Sequence, residues 1–259
     1  MLRRSVRRVF RYYSPAQLDA PRAGGSILAA VLVALLVASC QESPVEFNRL
    51  PGAYATAGVF VQGTATSNAL KTIAVPLAAA TTKGNLVVVG FDYTGTTFTS
   101  IADNQGNAFT QVGTEITSPG AARTRLYYAR NIKGGSETVT INLAANAPYL
   151  EVYMAEYAGI DTTTPLDVSA QATGSASSAT SGSIVTTTAN DVIVGLCIGD
   201  NSCTAGSGFT ARSTYHSNLL EDRVLATVGS TAATGTASAG WAIIMAAFRP
   251  QSTTAPAPV

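Results

Sequence analysis

The chain has 259 residues, of which 12% are charged, 7% aromatic and 46% apolar, with 23 glycines. This composition suits an exported all-β protein. It excludes a solvated disordered chain, which needs high charge, and a coiled coil, which needs abundant Glu and Lys. The net charge of +1 averages two unlike pieces: residues 1–39 carry six Arg and one Asp, while residues 40–259 carry ten Lys and Arg against fourteen Asp and Glu. The larger piece is mildly acidic and gives no electrostatic case for nucleic acid as a partner.

Residues 1–25 are Arg-rich, and residues 27–38 follow without a polar side chain. A membrane-spanning helix needs about 20 apolar residues. This shorter run has the length of the apolar region of a secretory signal peptide, expected as a helix. It ends in Val37-Ala38-Ser39-Cys40, which resembles the lipobox of bacterial lipoproteins. The resemblance implies cleavage before Cys40 and acylation of its thiol. The partner of Cys40 is then a membrane, bound stably because each buried CH₂ adds about 0.8 kcal/mol. The implied location is the bacterial outer membrane or cell surface. The alternative is an ordinary signal peptide with an incidental cysteine. On this reading residues 1–39 are the signal peptide, 40–55 a spacer, 56–250 the folded domain and 251–259 a disordered tail of Thr, Ala and Pro.

Two further cysteines, Cys197 and Cys203, flank the turn-forming Gly199-Asp200-Asn201-Ser202. In an exported chain this spacing reads as a disulfide across a hairpin loop. A zinc pair is the alternative, but zinc sites want four ligands and His216 is the only histidine.

From residue 56 onward period-2 patterns dominate. Val139, Ile141 and Leu143 share one face of a strand, and residues 85–90 and 190–195 are apolar runs of the kind found in buried central strands. The order of features repeats. Residues 85–90 align with 190–195, Phe109-Thr110 with Phe209-Thr210, 125–129 with 223–227, and 150–157 with 241–248. This predicts an internal duplication with halves at about 80–160 and 185–250, packed together as one antiparallel β-sandwich of jelly-roll type.

Several segments carry a wider resemblance: Asp103-Asn104-Gln105-Gly106-Asn107-Ala108-Phe109-Thr110, Tyr127-Tyr128-Ala129-Arg130-Asn131, Tyr157-Ala158-Gly159-Ile160-Asp161, Glu221-Asp222-Arg223, and residues 241–248. Together they resemble a widespread, poorly characterised family of secreted bacterial β-sandwich modules. Such modules stand alone or beside adhesive and carbohydrate-active domains. The resemblance implies location and fold and carries over no catalytic residue.

Motifs for catalysis are absent. His216 lies in a polar stretch without a nucleophile elbow and reads as a solvated loop histidine. There is no phosphate-binding glycine loop and no His-Glu-x-x-His. Glycosidases need two carboxyl groups across a cleft, but Glu151 and Glu156 lie five apart on one strand and point to opposite faces. Glu156 shares its face with Leu150, Val152 and Met154, so it needs a partner, with Arg125 or Arg223 as candidates, or else reaches solvent at the strand end. Calcium is the candidate cofactor, held by Asp103 and Asn107 in one loop and Asp161 and Asp167 in another. The alternative is that each Asp caps its own β-turn. Tyr127, Tyr149, Tyr153 and Tyr157, with Glu156, form a candidate glycan platform; the alternative packs these rings inside the sandwich. The expected function is a non-catalytic, surface-anchored binding or adhesive module for glycans. A structural envelope lipoprotein and a carboxylate-dependent polysaccharide hydrolase or lyase are the alternatives.

Overall fold

The computed structural model describes residues 54–253. The signal peptide, Cys40 and most of the spacer and tail lie outside the described residues. The chain opens with β1 (Tyr54–Ala55). The first half then runs through β2 (Val59–Asn68), β3 (Thr72–Pro76), β4 (Leu86–Tyr93), β5 (Phe98–Asp103), β6 (Phe109–Thr117), β7 (Arg123–Ala129), β8 (Thr138–Leu143) and β9 (Leu150–Ala158). The second half comprises β10 (Leu166–Gly174), β11 (Ser178–Thr180), β12 (Ile184–Val185), β13 (Asp191–Gly199), β14 (Cys203–Ala205), β15 (Thr210–Ser213), β16 (Leu219–Leu225), β17 (Ser230–Thr231), β18 (Thr234–Ala237) and β19 (Trp241–Phe248). A short closing strand, β20 (Ser252–Thr253), pairs with β1. This pairing ties four residues expected in the spacer or tail to the domain. Among the described residues no helix is long and apolar enough to cross a membrane.

All strand pairs are antiparallel, and the protein is an all-β sandwich. The two halves have the same strand order. The first half forms a five-stranded sheet β2-β9-β4-β7-β6 and a three-stranded sheet β3-β8-β5. The second forms β10-β19-β13-β16-β15 and β11-β18-β14. Each half even bulges at the same place. The ladder skips between Phe60 and Gln62 in β2, and between Leu166 and Val168 in β10, the strand that takes the same position in the second half. A shared bulge at a matching position is a strong mark of duplication, because bulges persist as designed features.

The layering differs from the expected single double-sheet sandwich. Three cores separate four layers. One core lies inside the first half, between its two sheets, with Val87, Val89, Phe91, Val139, Ile141, Val152 and Met154. Another lies inside the second half, with Ile193, Leu219, Trp241, Ile243 and Met245. The third joins the two five-stranded sheets face to face and contains Val88, Leu126, Tyr128 and Tyr153 from one half with Val194, Leu196, Ile244 and Phe248 from the other. This explains the sequence pattern. β4 and β19 are buried at every residue because cores press on both faces, whereas β3 and β8, in an outer sheet, alternate. Close approach at the seam needs a glycine at position 90. A Cβ there would meet the Cδ atoms of Leu196 at 2.7 and 2.9 Å.

Candidate functional site

The seam core does not fill the whole interface. At one end the five-stranded sheet of the first half carries a row of polar side chains: Ser67 on β2, Glu151 on β9, Asp92 on β4 and Thr124 on β7, each opposite the next in register. Cross-strand partners project from the same face, so Glu151 and Asp92 emerge side by side toward the second half. There they line a pocket of about 400 Å³. Its other walls include Tyr149, Gly199 at the end of β13, and Asp200, Asn201, His216 and Asn218 beyond it.

Glu151 is fully engaged. Its Oε1 lies 2.6 Å from His216 Nδ1. Its Oε2 accepts from the Tyr153 hydroxyl at 2.7 Å and from Asn218 Nδ2 at 3.0 Å. Asn218 Nδ2 also donates to Tyr153 Oη at 2.9 Å, and Asn218 Oδ1 accepts from the Gly199 amide at 2.9 Å. His216 and Ser217 have φ of 50° and 65°, a left-handed conformation that disfavours non-glycine residues by about 1–2 kcal/mol each. The imidazole stacks on Tyr215 with ring centroids 4.0 Å apart. Together the stacking and the Glu151 contact hold the strained turn against the pocket.

Asp92 is the opposite case. It is 2% exposed, and its buried Oδ1 has no hydrogen-bond partner. The next residue in the row, Thr124, also buries its Oγ1 without a partner. Burial first, then the neighbouring Glu151 charge, push the Asp92 carboxyl well above its ordinary range. Burial and the charges of Asp92, Glu151 and Asp200 push the Tyr149 phenol up to about 12.

Asp200 closes the pocket from the second half. Its Oδ2 accepts from the Gly120 amide at 2.7 Å, its Oδ1 accepts from Ser118 Oγ, and its own amide donates to Gly240 O at 2.7 Å. The expected disulfide supports this loop. Cys197 near the end of β13 is bonded to Cys203 at the start of β14, with Cα atoms 6.1 Å apart. The bridge closes around the segment that carries Asp200 across the seam.

The remaining sequence candidates lie elsewhere. Tyr127, Tyr153 and Tyr157 do not form an exposed platform, because all three are buried. Tyr127 stacks on Phe91 inside the first half with its hydroxyl donating to Gln111 Oε1 at 2.9 Å. Tyr153 and Tyr157 pack in the seam, and the Tyr157 hydroxyl donates to Asp222 Oδ2 at 2.9 Å. Of the four, Tyr149 alone lines the seam pocket, and Tyr157 borders a separate one beside Phe60 and Arg212. Glu156 faces away from it, as alternation predicts, and is fully buried rather than solvated or paired with arginine. It accepts from Gln62 Nε2 at 2.7 Å, the Thr82 amide at 2.9 Å and Asn85 Nδ2 at 2.6 Å.

The calcium candidates are occupied by protein donors. Asp103 Oδ1 accepts from the Gln105 and Asn107 amides at 3.0 and 2.9 Å, and Asn107 Nδ2 donates to Asp103 Oδ2 at 2.6 Å. Asp161 Oδ1 accepts from the Thr163 and Thr164 amides at 2.7 and 2.8 Å. Asp167 is separately held by Arg249 Nη2 at 2.6 Å and the Thr187 amide at 2.5 Å. Asp103 and Asp161 thus cap their own turns, whereas Asp167 joins an ion pair, and among the described residues no group of three or more His, Cys, Asp or Glu is placed to hold a metal ion.

Sequence reasoning singled out His216 and Glu151 but did not join them, and it passed over Asp92, Asp200 and Asn218. One signal was available. Asp92 interrupts the apolar run of β4 at a position whose neighbours two and four back, Gly90 and Val88, face inward. A carboxyl there has no route to solvent except a pocket. Compared with known proteins, the chain matches no family model, no curated protein and no solved structure.

Proposed function

We propose that this chain is a lipid-anchored, non-catalytic binding module of the bacterial envelope, with the seam pocket holding the end of a glycan. The observation that carries this reading is the pocket itself: carboxyl, amide, imidazole and phenol groups line it, and no lysine or arginine does. Its volume of about 400 Å³ lies in the range of small-molecule sites. Hydroxyl groups of a sugar are matched by such a mixture of acceptors and donors, and the Tyr149 ring offers a flat face for stacking. The non-catalytic assignment rests on the sequence, which carries no nucleophile elbow, phosphate-binding glycine loop or His-Glu-x-x-His motif. Export is supported by the disulfide, which forms in oxidising compartments. Anchoring rests on the Val37-Ala38-Ser39-Cys40 resemblance. We read each half as a jelly-roll unit, because successive strands cross between its sheets.

The test is depletion of the full chain, held in a sugar-free zwitterionic detergent, by a panel of insoluble and immobilised glycans. Selective depletion by one glycan class is expected, with Tyr149→Ala weakening it about tenfold, as loss of one stacking face would. Absence of depletion across the panel would overturn the glycan reading.

A further inference from the structure

Asp92 poses a question of charge. It stands beside Glu151 in register, is nearly inaccessible and leaves Oδ1 without a partner. Every other acid of the pocket is provided for. Glu151 has His216, Asn218 and Tyr153, and Asp200 has Ser118 and Gly120. No cationic side chain of the protein takes that role for Asp92, since neither Lys nor Arg lines the pocket. Two adjacent carboxyl groups in a low-dielectric site do not both ionise without a counter-ion. Burial and the neighbouring Glu151 charge favour a proton on Asp92. A ligand that brings its own cation can replace it.

On the basis of the glycan reading above, we propose that the pocket selects an amino sugar, a hydroxylated ring bearing a protonated primary amine, with the ammonium seated between Asp92 and Glu151. An ammonium has three donors in tetrahedral array. Against the Asp92 carboxyl, which lines the pocket, it gains charge-assisted hydrogen bonds that a neutral hydroxyl does not. The ring hydroxyls then meet Asn201, Asp200 and Tyr149. N-acetylation removes the positive charge and is rejected. Uronic and sulfated sugars are rejected by three carboxyl groups in one small space. Binding also carries a proton signature. At a pH where empty Asp92 holds its proton, the ammonium displaces it, and about one proton leaves per ligand bound. The titratable groups around Asp92 are Glu151 and Tyr153 on β9, Tyr149 just before it, Asp200 from the β13–β14 loop and His216 from the turn before β16.

The experiment is calorimetric titration of the full chain in the same detergent at about pH 6. Three tetrasaccharide probes are compared: β-1,4-linked glucosamine, its N-acetylated form and β-1,4-linked glucose. Each is run in two buffers of different ionisation heat. The glucosamine oligomer is expected to bind about tenfold or more tightly than either neutral oligomer, with release of about one proton. Asp92→Asn keeps the shape and the neutral state of the empty pocket, so it is expected to fold. It should bring the three affinities together and abolish proton release. Asp200→Asn, at the solvent side of the pocket, should weaken the preference without abolishing proton release. Equal binding of all three oligomers would overturn the amino-sugar proposal and leave the glycan reading standing. Preference for the glucosamine oligomer that survives Asp92→Asn would also overturn it, because the charge would then be read elsewhere. No binding of any oligomer would overturn the amino-sugar proposal, and together with no depletion by the wider panel it would overturn the glycan reading as well.

Discussion

Glu156 is held by amides, not by a cation. Three donors reach it from β2, from the loop ahead of β4 and from Asn85, so one side chain fastens an edge strand and a loop to the sheet. Its need for a partner was legible from alternation, which set a carboxyl among Leu150, Val152 and Met154. The partner's identity was not legible, because Gln62, Thr82 and Asn85 are brought there by strand pairing over 71 to 94 residues of chain. The arginines that sequence reasoning offered are otherwise engaged. Arg125 bonds Glu115 at 2.8 Å, and Arg223 lies over the Phe209 ring. Replacing Glu156 by Ala strands three donors, of which Asn85 is buried and Gln62 and Thr82 part-buried. The expected loss is about 3 kcal/mol or more, seen as a lower urea midpoint with an unchanged slope. Glu156→Gln, which keeps one acceptor, should lose roughly half as much. A loss below about 1 kcal/mol for the alanine variant would show the corner relaxing around the gap.

At the level of strands, the repeat was legible but its register was only partly so. The ladders place Leu86 opposite Tyr157 and Val192 opposite Phe248, so Leu86 corresponds to Val192 and not, as the sequence alignment has it, to Asp191. A one-residue slip exchanges the two faces of a strand, and nearly continuous apolar runs conceal it because both faces are apolar. The pairs Tyr157 with Phe248 and Phe109 with Phe209 were aligned in register, since bulky aromatic residues mark their positions. The bulge at the start of β10 has an electrostatic result. It re-aims Asp167 toward Thr187, Arg249 and Asp191, the first residue of β13. Burial and then Asp167 push the Asp191 carboxyl up to about 7. An unfolded Asp releases its proton near pH 4. Between there and about 7 the folded state retains a proton that the unfolded state has lost, so stability falls as pH rises through that window and is level above it. Asp191→Asn removes this term. Its denaturation midpoint should gain on the unaltered protein at about pH 8 and not at about pH 4. An equal difference at both pH values would mean that Asp191 does not titrate between them.

For the whole molecule, the decisive feature is that the two halves share a core and not merely a boundary. Low charge and two nearly continuous apolar runs pointed to an all-β fold with deeply buried strands. They did not count the layers, because a run buried by two opposing cores reads the same whatever those cores are made of. The expectation that neither half buries its apolar face alone remains a sound physical argument for one face of each half. Val88, Leu126 and Tyr128 would be bare without Val194, Leu196 and Phe248, and Tyr128 meets Phe248 edge-on with centroids 5.4 Å apart. The pocket depends on this union as well, since Asp92 and Glu151 come from one half and Asp200, His216 and Asn218 from the other. The two halves should therefore unfold together. Trp241, the chain's one tryptophan, sits in the inner core of the second half. Its fluorescence reports that half, while far-ultraviolet circular dichroism reports both. Coincident denaturation curves are expected. Phe248→Ala should shift both curves by the same amount, a loss of about 3–5 kcal/mol. If Trp241 fluorescence moves while the dichroism separates into two steps, the first half is stable alone, and the seam is a docking surface between independent domains.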